Sequence, residues 1–189
     1  MKSADHGTGT LVLIVGPSGA GKDTLMDAAR TALREEPVFQ FARRVITRPH
    51  DFGGEVHESV SEQDFVRDER QGAFALSWTA HGLAYGIRAS IKDDIAAGRI
   101  VVANVSRGVI AQAERLAPRV IVINITAPVE VLTARLAARG RESREVILQR
   151  LRREAEIVTS TAKLVTISND RAVADAAIEL VHALRSAVT

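Results

Sequence analysis

The chain of 189 residues contains no cysteine, one tryptophan and one tyrosine. The absence of cysteine excludes a disulfide framework, a thiolate metal site and a thiol nucleophile, and it fits a reducing compartment. No apolar run approaches the roughly 20 residues of a membrane-spanning helix, and the polar residues 1–10 lack the apolar centre of a signal peptide. The sequence therefore predicts a soluble cytoplasmic protein with no membrane partner.

The chain also has little excess charge, with a formal net charge of +2 from 25 basic and 23 acidic residues. The positive charge is concentrated in residues 135–153, which contain seven arginines and two glutamates. The net charge of this segment is therefore +5, and that of the rest of the chain is −3. A nucleic-acid-binding domain is usually basic as a whole. One basic segment instead indicates a localised anionic ligand and no nucleic-acid partner.

Short apolar runs alternate with longer amphipathic stretches along most of the chain. This alternation is typical of βαβ units, and the length fits one α/β domain with a mainly parallel sheet. A loop is predicted at 50–58. Strands are predicted at 10–15, 39–46, 73–79, 84–87, 100–105, 119–125 and 164–167, and helices at 22–34, 61–72, 89–97, 108–116, 128–140, 143–160 and 171–187.

A phosphate-binding loop is predicted where the first strand meets the first helix. Residues 16–22 read Gly-Pro-Ser-Gly-Ala-Gly-Lys. Glycines let the backbone curl so that amide N–H groups and the helix N-terminus face an anion, and Lys22 then reaches the β- and γ-phosphates. A glycine-rich turn that only begins a helix is the alternative. Nucleotide contacts are expected from Gly16, Pro17, Ser18, Gly19, Ala20, Gly21, Lys22, Asp23 and Thr24.

Asp23 stands where the phosphate-loop pattern has serine or threonine, and Thr24 follows one place later. The hydroxyl at that place normally ligates Mg²⁺, and a carboxylate oxygen is also a hard ligand that suits this ion. We therefore expect Asp23 to contact Mg²⁺, directly or through its water, beside a bound ATP.

Two groups of arginines are candidates for neutralising phosphate oxygens, because the guanidinium is permanently charged and forms paired hydrogen bonds. The first group, in a predicted lid, is Arg135, Arg139, Arg141 and Arg150. A solvated helix face with Glu–Arg pairs is the alternative for that group. The second group lies at the end of the second predicted strand and is expected to hold an acceptor's phosphate, with Arg48 in the leading role. Its members are Arg43, Arg44 and Arg48.

These motifs resemble the guanylate kinase family over nearly the whole chain. The resemblance is carried by residues 16–22, 47–49, 54–55, 72–74, 81–86, 135–140, 150–151 and 168–170. It implies one P-loop kinase domain of three α/β/α layers. Its core would be 8–46, 88–138 and 154–189, with an acceptor-binding insertion at about 47–87 and a lid at about 139–153.

The same resemblance implies roles for individual residues. Arg48 and Tyr85 would contact the acceptor phosphate, and Arg139 and Arg150 would reach the donor phosphates. Asn169 would lie near the adenine. Lys22, Arg48, Arg139 and Arg150 are accordingly the expected catalytic residues, and Arg135 is a further nucleotide contact.

The chain departs from the family pattern where guanylate kinases recognise guanine. Leu76, Ile87, Asn104 and Ser106 replace polar or acidic residues there, and Asp51 stands near the place of a second arginine. A pocket built to hydrogen-bond a base discriminates strongly, so these replacements predict the loss of guanine recognition. The changed pattern resembles the ribose 1,5-bisphosphate phosphokinases, in the segments 21–23, 46–49, 76–86, 104–107 and 139–142.

That narrower resemblance implies phosphoryl transfer from ATP to ribose 1,5-bisphosphate, giving 5-phosphoribosyl 1-diphosphate, in phosphonate breakdown. A true guanylate kinase, a non-catalytic binding module and another small-sugar kinase are alternatives, and both monomer and homodimer stay open. Trp78 is expected to pack the insertion, His57 could be a polar loop residue, and Arg107 could cap a helix. Further acceptor contacts are expected from Glu55, His57, Asn104 and Arg107.

Overall fold

The computed structural model describes residues 9–49, 56–138, 148, 151 and 157–188. Along these residues the strands and helices alternate as an α/β fold. In chain order they are β1 (Thr10–Val15), α1 (Lys22–Ala32), β2 (Phe39–Phe41), β3 (Arg44–Ile46), β4 (Glu58–Ser59), α2 (Glu62–Arg70), β5 (Phe74–Ala80), β6 (Leu83–Arg88), α3 (Ile91–Ala96), β7 (Ile100–Asn104), a 3₁₀ turn (Arg107–Val109), α4 (Ile110–Leu116), β8 (Val120–Thr126), α5 (Val129–Ala137), β9 (Lys163–Ser168) and α6 (Val173–Arg185).

The larger sheet has five parallel strands in the order β2-β7-β1-β8-β9. Every residue of the central strand β1 is buried. Val12 and Ile14 face one core cluster, which includes Leu25 of α1 and Leu180 of α6, while Leu11 belongs to the cluster on the opposite side. Burial on both faces explains the unbroken apolar run of β1 and confirms the predicted fold class.

A second sheet of four strands, in the order β4-β3-β6-β5, lies within residues 44–88. Its β3–β6 and β5–β6 pairs are antiparallel and its β3–β4 pair is parallel. Leu76 and Ile87 face the core cluster that also contains Leu11 of β1. The small sheet thus packs one face against the main body of the protein.

The prediction of one strand over 39–46 is wrong. The segment forms two strands in different sheets, with β2 beside β7 in the large sheet and β3 beside β6 in the small one. The amide of Ala42 still donates to the carbonyl of Val102, whereas Arg43 donates to the carbonyl of His57 at 2.8 Å. The chain therefore leaves the parallel sheet after Ala42, and the predicted loop at 50–58 ends in the short strand β4.

The prediction that a helix runs to Ser160 is also wrong at its described end, because residues 157–160 are not helical. One carboxylate oxygen of Glu114 on α4 accepts hydrogen bonds from the backbone amides of residues 160, 161 and 162, at 2.8, 2.9 and 2.9 Å. These bonds, led by those of Thr161 and Ala162, hold the pKa of Glu114 below its ordinary value. The amides satisfied in this way lead directly into β9.

Two local predictions are confirmed. Ser61 begins α2 as its N-cap, with its hydroxyl accepting from the amide of Asp64 at 3.1 Å. The strands β5 and β6 form a hairpin around His81 and Gly82, which both have positive φ, at 52° and 74°. This backbone matches the twist of paired strands. None of the described helices is long and apolar enough to cross a lipid bilayer.

Candidate active site

The loop at residues 16–21 joins β1 to α1 in the conformation that its glycines allow. Gly16 has φ 142°, and a Cβ there would lie 1.9 Å from the carbonyl oxygen of Ile125. Gly21 caps α1 in the left-handed conformation, at φ 85°. Both positions require glycine, so the sequence of the loop follows from its shape.

Lys22 begins α1 directly after the loop, and its side chain turns back over the loop backbone. Its Nζ donates to the carbonyl oxygens of Gly16 at 2.8 Å and Pro17 at 2.9 Å. The ammonium group therefore lies within the curl of the loop, next to the positive end of the helix. This is the charge arrangement that a triphosphate requires.

Two predicted nucleotide contacts lie against the same loop. Asn169 follows β9 and is buried, and its Nδ2 donates to the carbonyl oxygen of Ala20 at 2.7 Å. The Asn169 amide donates to the carbonyl oxygen of Thr126 at 2.7 Å. Arg135 on α5 reaches the carbonyl oxygen of Gly19 with its Nη1 at 3.5 Å. The ends of β8 and β9 and helix α5 thus support the loop from behind.

A cleft of about 480 Å³ lies between this loop and the small sheet. Of the predicted acceptor contacts, it brings together Arg44, Tyr85, Asn104 and Arg107. Arg44 lies over the ring of Tyr85, with its guanidinium carbon 5.5 Å from the ring centroid. The cleft therefore lies between the loop at residues 16–21 and a cationic and aromatic wall supplied by the small sheet. Its lining from the loop and α1 is Gly16, Ser18, Gly19, Gly21, Lys22, Asp23 and Thr24.

Asp23, in the first turn of α1, links the two sheets across this cleft. Its Oδ1 accepts from Nδ2 of Asn104, on β7, at 2.7 Å and lies 4.0 Å from Nη2 of Arg44, on β3. The Asp23 side chain is half exposed, at 51%. A carboxylate only accepts hydrogen bonds. The Asn104 amide donor and the Arg44 guanidinium therefore both favour the orientation in which the Asp23 carboxylate faces the cleft.

The surroundings of Asp23 fit Mg²⁺ held mostly by phosphate and water. Within the described ranges, no three His, Cys, Asp or Glu side chains are grouped closely enough to hold a metal ion. Mg²⁺ in kinases is usually bound through one or two carboxylates together with substrate phosphates. Asp23 is the carboxylate in position for this, with room beside it in the cleft.

The other two predicted acceptor arginines, Arg43 and Arg48, are not among the residues that line this cleft. Arg43 donates to the carbonyl of His57 at 2.8 Å, and Nη2 of Arg48 is 3.4 Å from Nδ1 of the same histidine. His57 is buried, and its Nε2 lies 3.2 Å from the carbonyl oxygen of Arg48, which also accepts from the hydroxyl of Ser59 at 2.6 Å. The described residues that line the cleft include Arg44 but not Arg48.

Four predicted site residues fall outside the described residues: Glu55, Arg139, Arg141 and Arg150. Ser106 and Arg107 lie at the cleft end of the 3₁₀ turn. The Ser106 hydroxyl accepts from the amide of Gly108 at 3.4 Å, so Ser106 caps the turn while Arg107 lines the cleft.

The sequence profile of the guanylate kinase family matches residues 8–187. The chain belongs to this family. It is 49% identical over 181 residues to the ribose 1,5-bisphosphate phosphokinase PhnN of Brucella melitensis, covering 96% of this chain and 94% of that one. It is also 49% identical over 163 residues to the bifunctional ribose 1,5-bisphosphokinase-thymidine phosphorylase of Cupriavidus pinatubonensis, covering 86% of this chain and 27% of that longer one.

The crystal structure of guanylate kinase from Anaplasma phagocytophilum shares the fold. It superposes with a TM-score of 0.63 at 16% sequence identity, over 95% of this chain and 86% of that one. This likeness, together with the five-stranded parallel sheet of this chain, confirms the fold class predicted from the sequence.

Within this guanylate kinase framework, the departures at the expected guanine positions have clear structural consequences. Leu76 and Ile87 are cross-strand partners, and both are fully buried in the core cluster. Asn104 donates a hydrogen bond from its Nδ2 to Asp23. A polar group at position 76 or 87 would have to be buried among apolar side chains, which is unfavourable without a partner.

The sequence did not identify Trp78 as a site residue, although it predicted that Trp78 packs the insertion. The indole stacks on the ring of Tyr85, packs against the core and also lines the cleft. Its position opposite Tyr85 in a hairpin was the available signal, because directly opposed residues share one face of a sheet.

Proposed function

We propose that this protein transfers the γ-phosphoryl group of ATP to the 1-phosphate of ribose 1,5-bisphosphate, forming 5-phospho-α-D-ribose 1-diphosphate and ADP. The observation that carries the proposal is the burial of Leu76 and Ile87 in the core, beside a cleft that retains phosphate-binding groups. Such a cleft suits an acceptor that offers phosphate and sugar and no base. The name of the Brucella relative, which is similar over nearly the whole chain, agrees with this substrate.

In this proposal the phosphate loop and Lys22 hold the donor phosphates. Lys22 would leave the carbonyls of Gly16 and Pro17 and move onto the β- and γ-phosphates. Asp23 would hold Mg²⁺, which neutralises charge on the transferred group when it is bound. Asn169 and Arg135 would keep the loop in place beside the adenine and the donor phosphates.

The acceptor phosphate would lie between Arg44 and Tyr85 on the small sheet and the phosphate loop on the large one. Arg44 replaces Arg48 as the leading candidate there, because it lines the cleft and is ordered by Tyr85 and Asp23. Arg48, with Arg43 and His57, would support the strand that carries Arg44. Arg107 would contact the sugar or its 5-phosphate from the opposite wall, and Asn104 would contact the acceptor beside Asp23.

Arg139 and Arg150 would complete the charge neutralisation at the transferred phosphoryl group, and Glu55 would orient an arginine or a metal-bound water. Phosphoryl transfer needs positioned positive charge more than covalent participation by the protein. We place the reaction in the cytoplasm, in phosphonate catabolism.

A substrate panel tests this function. The purified protein with ATP and Mg²⁺ is given ribose 1,5-bisphosphate or GMP, ADP release is followed, and the product is identified by ³¹P NMR. We expect a sugar diphosphate from the first acceptor and little turnover with GMP. Robust GMP turnover without a sugar diphosphate would identify a guanylate kinase, and failure to bind ATP·Mg²⁺ by calorimetry would support a non-catalytic module.

Substitution of Lys22 tests whether the measured turnover depends on the phosphate loop. Lys22→Ala removes the ammonium group that lies within the curl of the phosphate loop, so turnover should fall by about 10²-fold or more. Lys92→Ala is the matched control, because Lys92 is exposed on α3. Both variants should retain the wild-type circular dichroism spectrum. Wild-type turnover in Lys22→Ala would remove the loop from the mechanism.

A further inference from the structure

Three side chains lie together on the face of the small sheet that turns toward the phosphate loop. Tyr85 lies on the middle strand β6 and is directly opposite Trp78 on β5 and Ile46 on β3. The rings of Trp78 and Tyr85 are stacked, with centroids 5.3 Å apart and planes 6° from parallel. Arg44, two residues before Ile46 on β3, covers the Tyr85 ring at 5.5 Å. We call Arg44, Tyr85 and Trp78 the cleft cluster.

Trp78 anchors one end of the cleft cluster. Its indole packs against the core cluster that contains Val105 and Val109, and β5 contacts the 3₁₀ turn at Arg107–Val109. The indole is therefore held between the small sheet and the main body, while part of it lines the cleft. A ring fixed on that side leaves Tyr85 few alternative orientations.

Arg44 connects the other end of the cleft cluster to the phosphate loop. Its guanidinium lies 4.0 Å from the carboxylate of Asp23, and its side chain is 17% exposed. Successive contacts therefore link Trp78 to Tyr85, Tyr85 to Arg44, and Arg44 to Asp23. The indole thus lies at the start of a chain of contacts that ends beside the expected Mg²⁺ and donor phosphates.

We infer that Trp78 is a positioning residue for the acceptor. By fixing the Tyr85 ring, it holds the Tyr85 hydroxyl and the Arg44 guanidinium in the geometry that receives the acceptor phosphate. The inference rests on the proposed function for the identity of the acceptor. It assigns the indole a role in binding of the acceptor, through the Tyr85 ring on which it stacks, and none in binding of ATP.

Steady-state kinetics of Trp78→Ala and Trp78→Phe test the inference. In Trp78→Ala the KM for the acceptor should rise about fivefold to tenfold, the size expected for the loss of one aromatic pair, while the KM for ATP stays within twofold. Trp78→Phe keeps a stacking ring and should recover most of the acceptor affinity. Equal changes in both KM values, or an unchanged acceptor KM, would overturn the inference.

A matched control separates positioning from stability. Phe65 on α2 and Phe74 on β5 also stack, with centroids 4.6 Å apart, but they do not line the cleft. Phe65→Leu should lower the melting temperature without changing the ratio of the two KM values. If Phe65→Leu alters that ratio as Trp78→Ala does, the effect of Trp78 reflects general stability and the inference fails.

The fluorescence of the sole tryptophan gives a readout that needs no variant. The acceptor should change the emission of Trp78 with a midpoint near its KM, whereas ADP alone should change it little. An emission unaffected by a saturating acceptor would contradict the inference even if Trp78→Ala does not fold. If the wild type does not use ribose 1,5-bisphosphate, the proposed function fails, and the same measurements with the phosphate acceptor found by the panel still test Trp78.

Discussion

The small sheet takes part in two clusters that each combine two stacked aromatic rings with one arginine, in contrasting surroundings. The cleft cluster has two stacked rings and Arg44, and a second cluster, which we call the outer cluster, has the stacked rings of Phe65 and Phe74 with Arg88 at 5.0 Å over Phe74. Both arginines therefore cover an aromatic ring supplied by a neighbouring strand. The clusters differ in the partners of their guanidinium groups.

Arg88 binds two carboxylates within the small sheet and its helix. It donates to Glu58 through Nη2 and to Asp68 through Nη1 at 2.8 Å, and these bonds, led by that to Glu58, raise the pKa of Arg88 above its ordinary value. The guanidinium of Arg44 lies 4.0 Å from the carboxylate of Asp23 and lines the cleft. The same packing of an arginine on a ring thus occurs once within the fold, where two carboxylates bind Arg88, and once at the wall of the cleft, where we propose that Arg44 receives an anionic ligand.

The largest expected effect that separates the clusters comes from Arg44→Ala. Loss of a bidentate guanidinium from the acceptor phosphate should lower kcat/KM for the acceptor about 10²-fold, and Arg44→Lys should restore little because an ammonium lacks the planar fork. Steady-state kinetics measure this, with the melting temperature as the check on folding. A drop of less than threefold would place the acceptor phosphate elsewhere.

Tyr85→Phe should have a smaller effect on the same step. The ring and its stacking on Trp78 are kept, and only the hydroxyl proposed to contact the phosphate is lost, so kcat/KM should fall about tenfold. The KM for ATP should stay unchanged. Full activity in this variant would limit Tyr85 to its packing with Trp78 and Arg44.

For the outer cluster, Arg88→Ala should alter stability and spare activity. Its loss removes the contacts with Glu58, Asp68 and the Phe74 ring, and we expect about 1 kcal/mol less free energy of unfolding. Urea denaturation measures this value, and kcat/KM should stay within twofold of wild type. A large loss of activity at unchanged stability would show that the two clusters do not divide these roles.

The smallest expected effect is the pH dependence of the difference in free energy of unfolding between wild type and Arg88→Ala. The bond from Arg88 is the main cause that holds the pKa of Asp68 below its ordinary value. A carboxyl with a lowered pKa in the folded state stabilises the fold above its unfolded pKa, and this contribution is lost as the pH falls through the folded value. The stability difference between wild type and Arg88→Ala should therefore narrow below about pH 4. Urea titrations at pH 7 and pH 3 test this, and an equal difference at both would contradict it.

The parts of the fold that were predictable from the sequence depend on local rules. β1, the phosphate loop and α1 follow from an apolar run, glycines at positions of positive φ and a lysine. The turn at His81 and Gly82 follows from the residues between two strands. In each case neighbouring residues determine the structure without reference to distant partners.

The parts that were not predictable depend on contacts between distant segments. Residues 39–46 alternate as a strand should, yet only their partners, β7 for β2 and β6 for β3, determine that the segment divides between two sheets. The end of the helix predicted to reach Ser160 depends on Glu114, more than 40 residues earlier. Among the arginines, the sequence favoured Arg48, whereas pairing of β3 with β6 brings Arg44 to the cleft.

The contacts of Asp23 have a consequence for how this sequence can change during evolution. Restoring serine or threonine at position 23 would shorten the side chain and remove the acceptor that Asn104 uses on β7 and that Arg44 faces on β3. Replacement of Asp23 removes a contact of both other residues, whereas replacement of Arg44 or Asn104 removes only its own contact with Asp23. Positions 23, 44 and 104 should therefore covary among descendants of a common ancestor, and a redesign of the phosphate loop would have to exchange all three together.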